Sequence, residues 1–304
     1  MKQNESSLTS LVSAFGRAYH SKYDSPKIFD DFIAIQLLSQ QDFHNIEENM
    51  VKGIQFFNKE IAEKYKDKPE EILKWITQVQ LSPTPLARAA YRESVLQNEI
   101  SLGVKQYAIL GAGFDTFSIR HPELENTIEI FEIDHPSTQQ FKVKRLDEVN
   151  IKIPSNIHFV PMDFTDIFSY KKLLEKNFKY ERTFFSLLGV SYYLTKNEFS
   201  SLLEELFSKV PTGSSIVFDY ADECLFEEKG LSNRVENMVK MAEASGEPMK
   251  SCYSISEMEK VLEKSGLLIY EQLSPYKINE QYFSNRNDYL TAFETIHYIH
   301  AVKK

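Results

Sequence analysis

Apolar positions before about residue 100 recur only at helical spacing, whereas from Tyr107 onward short apolar runs alternate with helical stripes. Leu8, Leu11, Val12 and Phe15 lie on one helix face, and so do Ile54, Phe57, Ile61 and Tyr65. Pro26, Pro69, Pro83 and Pro85 punctuate these helices. The later runs predict strands over 107–110, 127–133, 157–161, 182–188, 214–219, 267–273 and 297–303, with helices over 136–147, 168–177, 196–210 and 254–265 between them. Near-continuous apolar strands separated by helices are the mark of an α/β fold whose mostly parallel sheet is covered on both faces. Thr195 with Glu198, and Ser254 with Glu257, have the spacing of a capping box and fix two helix starts.

One stretch exceeds this plan. Residues 220–253 separate the fifth strand from its next helix, and Leu231, Val235, Met238, Val239 and Met241 can share one amphipathic helix. An insertion at the carboxyl end of a strand lies on the ligand side of such a sheet, so a lid over the substrate is expected there. The organisation expected is one structural domain: a helical segment, 1–100, packing on a core, 101–304, that carries the 220–253 insertion.

The candidate chemistry sits at the first two strands. The first runs into a loop with glycines at 111 and 113 around Ala112; the second ends on Asp134. A glycine turn after one buried parallel strand and a carboxylate closing the next make a mononucleotide-binding βαβ unit. The glycines let a ligand approach the backbone, and the acid can accept from both ribose hydroxyls. A dinucleotide fingerprint wants a third small residue where Thr116 stands, and Asp115 before it would repel a pyrophosphate. A ligand with a cationic end suits this loop better, which favours S-adenosylmethionine over a nicotinamide dinucleotide. His135 follows Asp134, but that strand end should face the ribose rather than a transferred methyl group, and no role is assigned to it.

Composition narrows the partners. The 304 residues are 42% hydrophobic, with 22 Phe and 16 Tyr, enough for a sizeable core, and the net charge is −9. No dense basic run suggests a nucleic-acid footprint; the nearest, 142–145, reads as a solvated helix face. Two cysteines, Cys224 and Cys252, are too few for a disulfide framework or a structural zinc site and suit a reducing compartment. No metal-ligand constellation is expected. The first seven residues lack the apolar core of a signal peptide, and no run of ~18 apolar residues occurs, so no membrane association and a cytoplasmic location are expected.

With these residues placed, the chain resembles the leucine carboxyl methyltransferase superfamily, nearest its bacterial branch of polyketide-type S-adenosylmethionine-dependent O-methyltransferases. The motifs are 110–116 (LGAGFDT) and 131–136 (FEIDHP), with weaker echoes at 160–166, 189–195, Leu86–Arg88, Arg17–Ala18 and 29–31. The resemblance implies a class I methyltransferase sheet of seven strands, the last antiparallel. It implies that Gly111, Ala112 and Gly113 pass under the methionine part of S-adenosylmethionine, that Asp115 lies near that end, and that Asp134 holds the ribose. It further places Asp163 and Phe164 at the adenine and Arg88 at the cofactor carboxylate. The family commonly has Glu directly before the Gly-Val at 189–190, where this chain has Leu188, which leaves a catalytically inactive S-adenosylmethionine-binding protein as an alternative reading. The acceptor would be a carboxylate or hydroxyl oxygen of a small molecule or a protein carboxyl terminus. Tyr192, Tyr193, Asp219 and Tyr220, near the ends of strands four and five, are the catalytic or pocket-lining candidates. A carboxylate, with a pKa near ~4, needs no base to accept a methyl group, whereas a phenol near ~10 does.

Overall fold

A computed structural model describes residues 7–164 and 168–304. Six helices come first: α1 (Leu8–Tyr23), α2 (Ala34–Leu37), α3 (Gln40–Phe57), α4 (Lys59–Lys64), α5 (Pro69–Ile76) and α6 (Pro83–Ser101). The stripe from Ile54 to Tyr65 is not one helix. Asn58 leaves the helical region (φ −156°, ψ 108°) and its side chain accepts from the Ile61 amide at 3.1 Å, so it ends α3 and caps α4.

The sheet then alternates with helices: β1 (Gln106–Leu110), α7 (Phe117–Arg120), β2 (Glu129–Asp134), α8 (Pro136–Glu148), β3 (Ile157–Pro161), α9 (Tyr170–Leu174), β4 (Thr183–Leu187), α10 (Lys196–Ser208), β5 (Ser215–Ala221), α11 (Arg234–Ala244), α12 (Ile255–Lys264), β6 (Leu267–Leu273), α13 (Pro275–Ile278) and β7 (Ile296–Lys303). Strand order is β3-β2-β1-β4-β5-β7-β6. β7 runs antiparallel to β5 and β6, and the other pairs are parallel. The expected strands match to within one or two residues. Both capping boxes form, with the Thr195 amide donating to Glu198 at 2.7 Å and the Ser254 amide to Glu257 at 2.9 Å.

Side-chain alternation along each strand builds two apolar layers. Tyr107, Ile109, Phe184 and Val217 pack with α6 on one face; Ala108, Leu110, Phe185 and Phe218 pack with α10 and α12 on the other. A third cluster, with Phe15, Tyr19, Leu37, Phe114 and Leu146, ties the first helices to the loop after β1 and to α8. Leu110 is level with Ile133 on one side and Leu187 on the other, so the loops leaving β1, β2 and β4 emerge side by side. β1 and β4 flank the point where strand order reverses, the place where open α/β sheets bind ligands.

The basic run at 142–145 is not a solvated face throughout. Lys142 is 1% exposed, and its Nζ lies 2.6 Å from the equally buried Glu132 of β2. An ammonium buried this deeply is tolerated only because a carboxylate accompanies it.

Candidate active site

A cavity of about 480 Å³ opens along this carboxyl edge. Gly111, Ala112, Gly113, Asp115 and Thr116 line it from the loop after β1; Asp134 and His135 come from the end of β2; Met162, Asp163 and Phe164 follow β3. Leu188, Gly189, Tyr192 and Tyr193 come from beyond β4, and Pro85, Arg88 and Arg92 from α6. Thr165 and Asp166, the end of the 160–166 echo, lie outside the described residues.

The turn after β1 is held tightly. Gly113 has φ +49°, a conformation costly for any residue with a Cβ. A Cβ there would meet the Ser10 hydroxyl of α1 at 2.9 Å, so what stands over this glycine is the first helix of the protein itself. Its amide donates to the Asp134 carboxylate, whose other oxygen accepts from the His135 amide at 2.6 Å. Burial pushes the Asp134 carboxyl up to about 6, even though those two amides favour its charged form.

Asp115 is not a free counter-charge for a cationic ligand. Arg92 Nη1 lies 2.9 Å from one oxygen and the Phe117 amide 2.8 Å from the other. Burial alone would raise this carboxyl, but Arg92, helped by Lys142, the Phe117 amide and Arg17, holds it down at about 2. The loop therefore discourages a pyrophosphate less strongly than the bare sequence implies, because a guanidinium already balances its acid.

Arg88 behaves differently from its neighbours. It lies one helical turn before Arg92 on α6, on the same side of the helix. Its Nη1 donates to the Tyr192 hydroxyl and to Asp219, both at 3.2 Å. Burial works against the charge of Arg88, and Asp219 beside it more than restores it. Its Nε and Nη2 hold no hydrogen bond within the described residues, and the residue lines the cavity. By contrast each guanidinium nitrogen of Arg17 and Arg120, which also line the cavity, has a protein partner. Gly189, with φ +72°, lets the chain pass against the Arg88 guanidinium, where any Cβ would collide with it. Its amide donates to Asp219 at 2.6 Å.

The four candidate catalytic positions separate. Tyr192 and Tyr193 line the cavity, and burial first, then the Asp219 charge for Tyr192 and the Glu247 charge for Tyr193, raises both phenols above their ordinary value. Asp219 is fully buried behind Arg88, outside the lining, so it supports the guanidinium. Tyr220 is one residue on along β5 and faces the opposite layer, where Gln272 donates to its hydroxyl at 3.0 Å and the His297 ring stacks on it at 5.2 Å. It takes no part in the cavity.

The insertion reaches the cavity through a loop and not through its helix. On α11, Val235 is fully buried, Met238 and Val239 pack against the core cluster, and Leu231 just before it is 52% exposed. Gly246, Glu247, Pro248 and Lys250 are the lining residues. Glu247 accepts from Ser7 at 3.1 Å and from Thr9 at 2.5 Å, joining this loop to the start of α1. None of these contacts has a local signal, since the partners are separated by most of the chain. The spacing of Arg88 and Arg92 is the one cue that sequence alone could have used.

The profile of the leucine carboxyl methyltransferase family matches residues 10–207. The chain belongs to that family. Its reaction class is therefore methyl transfer with S-adenosylmethionine as cofactor. Over its full length the chain is 66% identical to the full length of "Putative S-adenosyl-L-methionine-dependent methyltransferase YktD" from Bacillus subtilis. A Mycobacterium bovis protein named "Putative S-adenosyl-L-methionine-dependent methyltransferase" is 29% identical over 143 residues, 45% of this chain and 40% of its own. Among solved structures, magnesium protoporphyrin IX methyltransferase from Synechocystis with bound S-adenosylhomocysteine superposes with a TM-score of 0.47 at 13% identity, covering 81% of this chain and all of that one. Membership sets aside the nicotinamide alternative. Among the described residues no helix is long and apolar enough to cross a membrane.

Proposed function

We propose that this family member transfers the methyl group to an oxygen, either a carboxylate or a hydroxyl of a small molecule or the carboxyl terminus of a protein. The observation that carries the reading is the make-up of the cavity wall beyond β4, where Tyr192 and Tyr193 supply hydroxyls and Leu188 supplies no carboxylate. Both phenols are raised by burial, so at neutral pH they stay protonated; they can donate hydrogen bonds and orient an acceptor but not remove its proton. A carboxylate arrives already ionised and needs only alignment and exclusion of water, so it is the favoured acceptor.

The residues present fit S-adenosylmethionine. Gly113 leaves no room for a side chain of its own, Asp134 offers a carboxylate at the end of β2, and Arg88 holds unspent donors beside the cavity. In this reading the 111–113 turn passes beneath the methionine part, with Asp115 held near that end by Arg92. Asp134 binds the ribose, Asp163 and Phe164 the adenine, and Arg88 the carboxylate through its fork of donors. When bound, the cofactor supplies an electrophilic methyl group on a sulfonium. The protein's part is to aim the acceptor oxygen at it and to keep water out, with Tyr192 and Tyr193 lining the acceptor side. Leu188 lines the cavity where the family commonly has an acid, so this chain supplies no carboxylate from that position. Release of label from methyl-labelled cofactor onto a panel of organic acids, phenols and carboxyl-terminal peptides tests the reading. Transfer to nitrogen or carbon acceptors alone would overturn it.

Two consequences can be measured without an acceptor. Replacing Arg88 by Met should weaken S-adenosylhomocysteine by at least about tenfold and lower stability by about 3 kcal/mol, because Asp219 is left buried without its counter-ion. Adding Asp219→Asn should recover much of the stability in urea unfolding but none of the affinity. Should the double variant bind like the parent, Arg88 is only a partner for Asp219.

The second consequence concerns pH. Asp134 goes from about 3.8 in the unfolded chain to about 6 in the folded one, so its contribution to stability is complete below the first value and is lost as pH rises through the second. Ligand binding runs the other way, since ribose hydroxyls donate best to the charged carboxylate. Affinity for S-adenosylhomocysteine should be flat above pH ~7 and fall by up to about tenfold per unit below ~6. Asp134→Asn should bind more weakly and without that slope; a slope retained in the variant would rule out Asp134 as its source.

A further inference from the structure

The echoes at Arg17–Ala18 and 29–31 are the motifs that the cofactor assignment leaves unused, and the structure brings them together on the turn after β1. Arg17 of α1 donates from Nη2 to the Phe114 carbonyl at 2.8 Å, from Nε to Asp31 at 2.8 Å and from Nη1 to Ser13 at 3.0 Å. Asp31, 1% exposed, accepts from the Thr116 hydroxyl at 2.6 Å on its other oxygen, and that hydroxyl in turn accepts from Arg120 Nε at 2.9 Å. Asp115, between Phe114 and Thr116, is held by Arg92. Three consecutive residues of the turn thus have three separate holders, all from the segment that precedes the sheet: Arg17 on α1, Asp31 in the loop before α2 and Arg92 on α6.

The turn needs such holders. After Gly113 its backbone is supported by the Asp115 amide donating to Ala112 at 2.7 Å, and α7 is only four residues long. The charges around it balance: Arg17, Arg92 and Arg120 meet Asp31, Glu93 and Asp115. A network closed in this way can fix a loop without presenting a net charge to the cavity. Arg17 and Asp31 both line the cavity wall, so the conformation they impose lies at the place where a ligand would meet the turn.

We propose that Arg17 and Asp31 are positioning residues of the cofactor site: through the Phe114 carbonyl and the Thr116 hydroxyl they set the turn that receives the methionine part of the cofactor. The N-terminal helical segment is then a working part of that site and not only a cover for the sheet. This rests on the assignment of the turn to the methionine end and of Asp134, Asp163 and Phe164 to the adenosine.

The two ends of the ligand separate a positioning role from a structural one. S-adenosylhomocysteine engages both ends, while 5′-methylthioadenosine has the adenosine but lacks the amino acid group. Arg17→Gln should weaken S-adenosylhomocysteine by at least about tenfold in titration calorimetry while changing 5′-methylthioadenosine by less than about threefold. Arg17→Lys keeps a cation beside Asp31 but cannot serve all three acceptors, and should give the same split with a smaller loss; it decides the matter if the Gln variant does not melt cooperatively. Equal weakening of both ligands, or no weakening of either, would overturn the proposal. A parent protein that binds S-adenosylhomocysteine no better than 5′-methylthioadenosine would remove the methionine-end assignment, and the clamp with it.

Discussion

Gly113→Val is expected to leave a folded protein with no measurable affinity for S-adenosylhomocysteine. Two effects add. Valine is held poorly at φ +49°, at a cost of order 1–3 kcal/mol. Its Cβ would also sit 2.9 Å from the Ser10 hydroxyl and 3.3 Å from the Ser10 Cβ, so the start of α1 must move or the turn must. Movement of the turn withdraws the amide that donates to Asp134, and movement of either reshapes the wall of the cavity. Calorimetry with a loss beyond about a hundredfold, beside a cooperative thermal transition, is the expected result. Gly113→Ala combined with Ser10→Gly removes the crowding but keeps the positive φ, and so shows which effect dominates. Parent-like binding by Gly113→Val would mean that this turn does not touch the cofactor.

Asp134→Ala should weaken S-adenosylhomocysteine by at least about tenfold, the loss expected when hydrogen bonds of ~1.5–3 kcal/mol to a charged group disappear. The structure enlarges the expectation, since the same carboxylate accepts from the amides of Gly113 and His135 and so ties the turn after β1 to the end of β2. An affinity within about twofold of the parent would reduce Asp134 to an organiser of the start of α8.

Much of the fold was legible because its signals are local. The central strands β1, β4 and β5, buried along their whole length, read as apolar runs and lie within a residue or two of the expected limits, while the edge strands β3 and β6, only partly buried, have the expected limits. The starts of α10 and α12 were legible because a capping box closes within four residues. The break at Asn58 was missed because the apolar period continues across it, and only the side-chain bond to Ile61 shows that the helix restarts. Tyr220 was misplaced for a related reason: being near the ligand edge says nothing about which face of β5 a side chain takes, and Asp219 took the cavity side.

The site divides in the same way. By itself the sequence determined the glycine turn, the carboxylate ending the second strand and the family to which they belong, because these depend on residue types at fixed short spacing around one βαβ unit. It could not determine the charge state of that site. Asp115 reads as a free acid until Arg92 is found against it, and Lys142 reads as surface until Glu132 is found beneath it. Nor could it show that Ser10 stands over Gly113, that Glu247 meets Ser7 and Thr9, or that Arg88 keeps donors unspent while every guanidinium nitrogen of Arg17 and Arg120 is engaged. Those facts belong to the tertiary structure, because a buried charge or donor is defined by the partner that folding brings to it, and here the partners come from distant parts of the chain.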